Sequence, residues 1–362
     1  MDHARRRAVL GSALSKKRIG AFLVTSPESR RYLSGFTGED MGCKETAGLV
    51  LVLKNNAYLF TDGRFAIQAR HEAVDMNVII YKNGLESALN KVLRQTEVKR
   101  VGFEGDSIGV NLFERIKKVC RHVEFIPLDD LILRYRLAKD PQEIEAIKEA
   151  VKRGERAFEE ALHEIRPGMT EKEAAWTIMQ SIYKHSEGPS FPPIVASGPN
   201  SALPHATPGQ RVIGEDEPVI IDMGVRILGY ASDMTRTIFF GEPKAQFREI
   251  YACVKAAKEE AQKNIRAGMT GKEGDAIARR IIKEAGYGNY FNHSLGHGVG
   301  LSVHEPPMLS QRYRRRLCTN SIVTIEPGIY IPGEGGVRLE DMAIIREDSV
   351  ELLGSGRWIY EF

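Results

Sequence analysis

Over the first 130 residues, short apolar runs alternate with amphipathic stretches. The runs at 21–24, 48–53, 57–60, 78–81 and 101–103 predict strands, and Lys54, Asn55 and Asn56 predict a hairpin turn between the second and third. Residues 85–93 and 111–120 carry apolar positions at helical spacing. Strands interleaved with helices predict an α/β domain on a mixed sheet. Residues 127–140 read as a crossing. Asp140 followed by Pro141 predicts a helix start, with aspartate as cap and proline at the first position. Ile144, Ile147, Val151, Ala157 and Leu162 continue at helical spacing to about Ile165. Two domains are expected, 1–130 and 131–362, and 362 residues is indeed long for one core.

The second domain repeats itself. IRPGMTEKE at 165–173 recurs as IRAGMTGKE at 265–273, each copy between two amphipathic helical patterns. Gly168 and Gly268 are placed to end the incoming helix in a left-handed conformation. Thr170 and Thr270 are placed to cap the outgoing helix, with Glu173 and Glu273 completing capping boxes. Two such copies predict a duplicated half-domain with a pseudo-twofold axis. A site between the halves would draw ligands from both.

Composition removes several function classes. Hydrophobic residues make up 42% and charged residues 27%, as in ordinary soluble proteins. The net charge is +3 and no long basic stretch interleaves with aromatics, so neither nucleic acid nor a membrane is an expected partner. No apolar run reaches the roughly 18 residues of a membrane span. After Arg5, Arg6 and Arg7 only Ala8, Val9 and Leu10 precede Gly11, too short for a signal-peptide core; this reads as the basic first turn of an opening helix. Cys43, Cys120, Cys253 and Cys318 are scattered, without a Cys-x-x-Cys pair, and are expected as free, mostly buried thiols in a reducing cytoplasm.

Five positions in the second domain suit metal binding: Asp222 in IIDMG, Asp233 in ASDMTRT, His297 in LGHGVG, Glu326 in TIEPG and Glu340 in VRLED. Four carboxylates and one imidazole suit Mn²⁺, Fe²⁺, Co²⁺ or Zn²⁺, and two divalent ions would balance four buried negative charges. Asp222 ends an apolar strand pattern and Asp233 precedes a return strand, so an antiparallel pair would bring them together. Each position has a plainer explanation when taken singly. Asp233 could be a turn former, Glu326 a solvated charge on an edge strand, and Arg338 with Glu340 an exposed ion pair on one side of a strand. Their joint occurrence is what points to a dinuclear hydrolase. His304 with Glu305 invites a test against the helical zinc motif His-Glu-x-x-His. Met308 occupies the last place and Pro306 and Pro307 oppose a helix, so His304 is better placed as a hydrogen-bond donor.

The chain resembles the Xaa-Pro peptidases of the pita-bread metallopeptidase family, aminopeptidase P and prolidase, over nearly its whole length. RYLSGFTG at 31–38 and TDGRF at 61–65 resemble the creatinase-type N-terminal domain, and ASGPNSALPH at 196–205 is specific to the catalytic domain. The resemblance implies a creatinase-type α/β domain followed by an α+β pita-bread domain. It implies Asp222 on one metal, Asp233 and Glu340 bridging both, and His297 with Glu326 completing the other. His205 and His304 match histidines that contact substrate, and Arg338 matches an arginine supporting the site. In the mechanism this implies, two ions, manganese first among the candidates, share a hydroxide. Glu326 takes its proton as general base, and His304 donates to the oxyanion. Substrates would be short proline-containing peptides, and the protein a cytoplasmic homodimer.

Aminopeptidase P is preferred over prolidase because Met308 stands where some prolidases carry an arginine for a dipeptide's carboxylate, and Arg312 is off register. Methionine aminopeptidase usually lacks the long first domain and the stretch ending at His205. Creatinase lacks the ligand set. A non-catalytic pita-bread binding protein is a remote alternative, since all five ligand positions are filled.

Overall fold

The computed structural model describes residues 1–40, 45–357 and 360, and Cys43 lies outside them. It divides into two compact units, Met1–Tyr135 and Arg136–Phe362.

The first unit holds a six-stranded sheet. Its strands are β1 (Ala21–Val24), β2 (Leu49–Leu53), β3 (Ala57–Thr61), β4 (Asn77–Ile80), β5 (Arg100–Phe103) and β6 (Glu124–Pro127), in the order β4-β3-β2-β1-β5-β6. The sheet is mixed: β1–β2 and β2–β3 are antiparallel, and the other neighbours parallel. The Lys54–Asn56 turn forms, closed by Leu53 N–H on Asn56 O at 2.8 Å. Alternate strand residues such as Leu23, Leu51, Phe60 and Val101 bury against Leu89 and Leu93 of α4 (Leu85–Gln95) and Ile116 of α5 (Val110–Val119). The opening segment is helix α1 (His3–Lys16), and α2 (Pro27–Ser34) and α3 (Ala66–Glu72) are further helices. Edge strand β6 escaped the sequence pattern because Phe125 and Ile126 are only half-buried and its ends are exposed.

Helix α6 (Asp130–Arg136) leads to the second unit. Asp140 caps α7 (Pro141–Glu164) in a full capping box with Glu143, and Pro141 sits in the first turn. Two helix pairs follow the predicted duplication: α7 with α8 (Glu171–His185), and α9 (Ala245–Asn264) with α10 (Gly271–Glu284). Thr170 and Thr270 cap α8 and α10 through capping boxes with Glu173 and Glu273. The two glycines correct the expectation in one respect. Gly168 and Gly268 have left-handed φ of 92° and 84°, but α7 and α9 already end in extended Ile165 and Ile265. Those isoleucines turn inward to the core, so each glycine shapes the loop beyond the helix.

Each pair backs its own sheet. The first half has β7 (Ile194–Ser197), β8 (Val219–Met223) and β11 (Met234–Ile238) in the order β11-β8-β7. The second has β12 (Gly296–Gly298), β13 (Glu305–Leu309), β14 (Ile322–Ile325), β17 (Asp341–Ile345) and β18 (Val350–Leu352), ordered β13-β12-β14-β17-β18. Two short hairpins, β9 (Arg226–Ile227) with β10 (Tyr230–Ala231) and β15 (Gly328–Ile331) with β16 (Gly335–Arg338), complete the unit. Separate apolar clusters fill the halves, one around Phe158, Ile178 and Ile221, the other around Tyr251, Ile282 and Val323. No helix among the described residues is long and apolar enough to cross a membrane. Of the cysteines, Cys120 is buried, Cys253 half-buried and Cys318 exposed, so burial is less general than expected.

Candidate metal centre

Strands from both halves deliver the sequence-selected residues to one place. β8 and β11 pair antiparallel with Asp222 opposite Thr235. The β9–β10 hairpin returns the chain between them, so Asp233, just before β11, falls on the same side as Thr235 at period two. From the other half, His297 lies at the centre of β12, and its N–H donates to Thr324 Oγ1 at 3.0 Å. The Thr324 hydroxyl donates onward to Glu326 Oε1 at 3.0 Å. β14 is an interior strand between β12 and β17, so Glu326 emerges from the sheet's middle and not, as one alternative had it, from an edge. Glu340 sits between β16 and β17; its N–H donates to Thr235 O at 3.1 Å, and its Oε2 accepts from Thr235 Oγ1 at 2.7 Å.

All five line a single cavity of about 460 Å³, together with His205, His304 and Arg338. His297 Nε2 is 3.3 Å from Glu326 Oε1 and 3.7 Å from Asp233 Oδ2. Ligand atoms of Asp233, His297 and Glu340 lie within 4.8 Å of one another. The imidazole is oriented by its other nitrogen. His297 Nδ1 faces Gly298 O at 3.2 Å, so it carries the hydrogen and leaves the Nε2 lone pair toward the acids.

The electrostatics are those of a site that needs cations. Burial, and then repulsion from Glu340, Asp222 and Glu326, hold the Asp233 carboxyl well above the usual carboxylate range. Burial and the charges of Glu326 and Asp222 do the same to Glu340. Burial moves Glu326 up to about 7, with Arg338 opposing and Asp222 reinforcing the shift. Burial lowers His297 to about 4 and so keeps it neutral, as a ligand must be. Among the described residues Arg338 is the one guanidinium in the cavity wall, and its Nε, Nη1 and Nη2 all donate hydrogen bonds. It donates to Asp222 Oδ2 at 2.6 Å, Thr235 Oγ1 at 3.0 Å, Pro204 O at 3.0 Å and Tyr330 Oη at 3.1 Å. Asp222 Oδ1 is buried with no hydrogen-bond partner. An orphaned carboxylate oxygen, a neutral imidazole lone pair and mutually repelling acids fit divalent ions of oxygen and nitrogen preference.

Three contributors were not picked out from the sequence. Thr235 bridges Glu340 and Arg338, and its signal was the period-two spacing from Asp233. His293 lines the cavity; its Nδ1 donates to Ser294 O at 2.8 Å, and its Nε2 accepts from the Tyr330 hydroxyl at 2.8 Å. Its signal was position, four residues before His297. Tyr330, with its hydroxyl between His293 and Arg338, had no local signal. Replacing Thr235 with valine is expected to lower metal affinity ~10–100-fold while leaving the fold intact, as checked by titrating Mn²⁺ into metal-free protein.

Behind Glu340 lies a buried ion cluster. Asp341 Oδ1 accepts from Arg236 Nη2 at 2.7 Å, and Asp341 Oδ2 pairs with Lys258 Nζ. Arg236 also donates to the Glu340 carbonyl, so the ligand strand is clamped through its backbone.

Comparison with known proteins agrees with this geometry. The profile of metallopeptidase family M24 matches residues 145–347, and that of the creatinase/prolidase N-terminal domain matches 6–138. The chain belongs to metallopeptidase family M24. It is therefore a metal-dependent peptidase of the pita-bread fold, using divalent metal ions, with a creatinase-type domain in front. An Xaa-Pro dipeptidase of Pyrococcus furiosus is 37% identical over 341 residues, covering 94% of each chain. The solved structure of an Xaa-Pro dipeptidase from Bacillus anthracis superposes with a TM-score of 0.92 at 38% identity, covering 98% of each chain. An X-Pro aminopeptidase from Thermotoga maritima superposes at 0.89 with 37% identity, covering 96% of this chain and 97% of its own.

Proposed function

We propose that the protein is an Xaa-Pro aminopeptidase, removing the first residue of a peptide whose second residue is proline. Asp222, Asp233, His297, Glu326 and Glu340 would hold two divalent ions, with manganese preferred for its affinity for oxygen ligands. The convergence of these five donors in one cavity, with Asp222 Oδ1 left unpartnered, is the observation that carries this reading. Bound there, the ions supply Lewis acidity and an activated water. The chain's own groups do the rest. Glu326 Oε1 is held by Thr324, which leaves Oε2 to take up a proton and pass it to the departing proline nitrogen. His304, on the rim with its ring 4.2 Å from that of His297, donates to the carbonyl oxygen as it gains charge. His205 lines the same cavity, where it would hold the substrate backbone. Phe191, Pro192, Pro193 and Val303 give the cavity an apolar wall for a pyrrolidine ring.

Substrate length follows from charge. Met308 lines the cavity, and Arg338 is engaged by Asp222 and its neighbours. Among the described lining residues no lysine or free arginine remains to grip a dipeptide's terminal carboxylate. Longer peptides are therefore preferred. The names of the Pyrococcus and Bacillus relatives favour the second reading, an Xaa-Pro dipeptidase. The expected result is that Mn²⁺-loaded protein cleaves Ala-Pro-Ala at least as well as Ala-Pro; exclusive use of Ala-Pro would establish the dipeptidase instead. Failure to cleave any Xaa-Pro peptide with Mn²⁺, Co²⁺, Fe²⁺ or Zn²⁺ would dismiss both. By the same resemblance we place the protein in the cytoplasm as a homodimer, to be checked by sedimentation and fractionation.

A further inference from the structure

We propose that Glu305, locked between Arg136 and Lys139, is the positioning residue that holds His304 over the cavity. This rests on the role given to His304 above. The His304 side chain is exposed at the rim, and its ring makes no hydrogen bond among the described residues; its ring contact is with His297. Its aim is therefore set by its main chain. On one side is Val303, buried in the cavity wall. On the other is Glu305, whose side chain is only 3% exposed.

Glu305 is gripped from several directions. Its Oε1 accepts from Lys139 Nζ at 3.0 Å, and its Oε2 pairs with Arg136 Nη2. Ser302 N–H reaches Oε2 at 3.3 Å, and Arg136 also donates to Ser302 Oγ at 3.1 Å. The loop from Gly298 to Glu305 closes around this carboxylate. Gly298 and Glu305 pair across β12 and β13, and Gly300 N–H donates to Ser302 O at 3.0 Å. Gly300 has no room for a side chain: a Cβ there would lie 2.4 Å from Glu305 Oε1. Burial pushes the Glu305 carboxyl up, but Lys139 and Arg136 outweigh it and keep the group ionised. Two buried cations on one buried carboxylate are a poor source of stability compared with apolar packing. What the cluster does supply is a fixed register for the residue beside it, and that residue is His304.

The test uses full-length, Zn²⁺-loaded protein carrying ¹⁵N in its histidine rings. The His304 signal is assigned by its loss in His304→Ala. In Glu305→Gln, and in Lys139→Met, which keeps the Arg136 pair should the first variant not fold, the His304 ring signal is expected to broaden or split. The His293 signal, held by Tyr330 and Ser294, should stay. An unmoved His304 signal in both variants overturns the inference whether or not the protein cleaves Xaa-Pro bonds. In turnover, Glu305→Gln should lower kcat about 10²-fold with little change in KM. The same substitution should cost almost nothing further in the His304→Ala background, because both act through one group. Additive losses, or a matching fall in bound zinc, overturn it. Full activity of His304→Ala would refute the catalytic role of His304 and leave the ring signal to decide the positioning.

Discussion

Asp233→Asn is expected to abolish peptidase activity and to erase most of the stabilisation that metal confers. Asp233 is buried against Glu340 and His297, with further acids at Glu326 and Asp222. Replacing it with an uncharged amide of the same shape removes one of four counter-charges to a cation pair. Several kcal/mol of transition-state stabilisation should go with it, a loss of at least ~10³-fold in kcat/KM. For wild type, saturating metal at about a thousand times Kd adds ~4 kcal/mol to the stability of the folded state. The variant should gain far less. Without metal the order reverses: wild type must keep repelling acids together, whereas the variant buries one fewer, so metal-free Asp233→Asn unfolds no earlier than metal-free wild type. Metal content by mass spectrometry, with thermal unfolding in the presence and absence of Mn²⁺, reads all of this. A variant retaining both ions and activity within tenfold of wild type would remove Asp233 from the site.

The second large effect is expected at Asp341, which touches neither cavity nor substrate. Asp341→Ala leaves Arg236 and Lys258 buried without their shared carboxylate, a cost of ~3–5 kcal/mol. Burial raises the Asp341 carboxyl, but Arg236 and Lys258 outweigh it and hold it below its ordinary range. Its folded value is thus depressed, and its contribution to stability is present above the ordinary carboxylate range. That contribution disappears as pH falls through the folded value. The gap between wild type and variant in denaturant unfolding should therefore be widest near neutrality and close in acid. Metal affinity should fall as well, since Arg236 will no longer be held against the Glu340 carbonyl. An unfolding midpoint equal to wild type at neutral pH would show that the cluster stabilises nothing.

Much of this was legible along the chain because it depends on local rules. Short continuous apolar runs placed β1 to β5, and a proline after an aspartate marked the start of α7. The repeated Thr-x-x-Glu showed both capping boxes, since a capping box involves four consecutive residues. Half-buried β6 was not legible, since its strand character comes from pairing with β5. Gly168 and Gly268 had the right conformation in the wrong place, because inward packing of Ile165 and Ile265, not the glycine, ends each helix. Thr235 and Tyr330 were missed for a related reason: a hydroxyl becomes part of a site only through the partner it meets across a sheet.

The amino-acid order by itself determined the donor chemistry, the duplicated frame and the membership of two strand patterns in each half, because spacing and residue type are properties of the chain. Only the tertiary structure decided that acids more than a hundred residues apart share one cavity. It also decided that one arginine is consumed there, and that buried ion clusters around Asp341 and Glu305 brace the strands beside it. Those outcomes depend on distances in space, and a Coulomb interaction or a hydrogen bond is set by separation and burial rather than by position along the backbone.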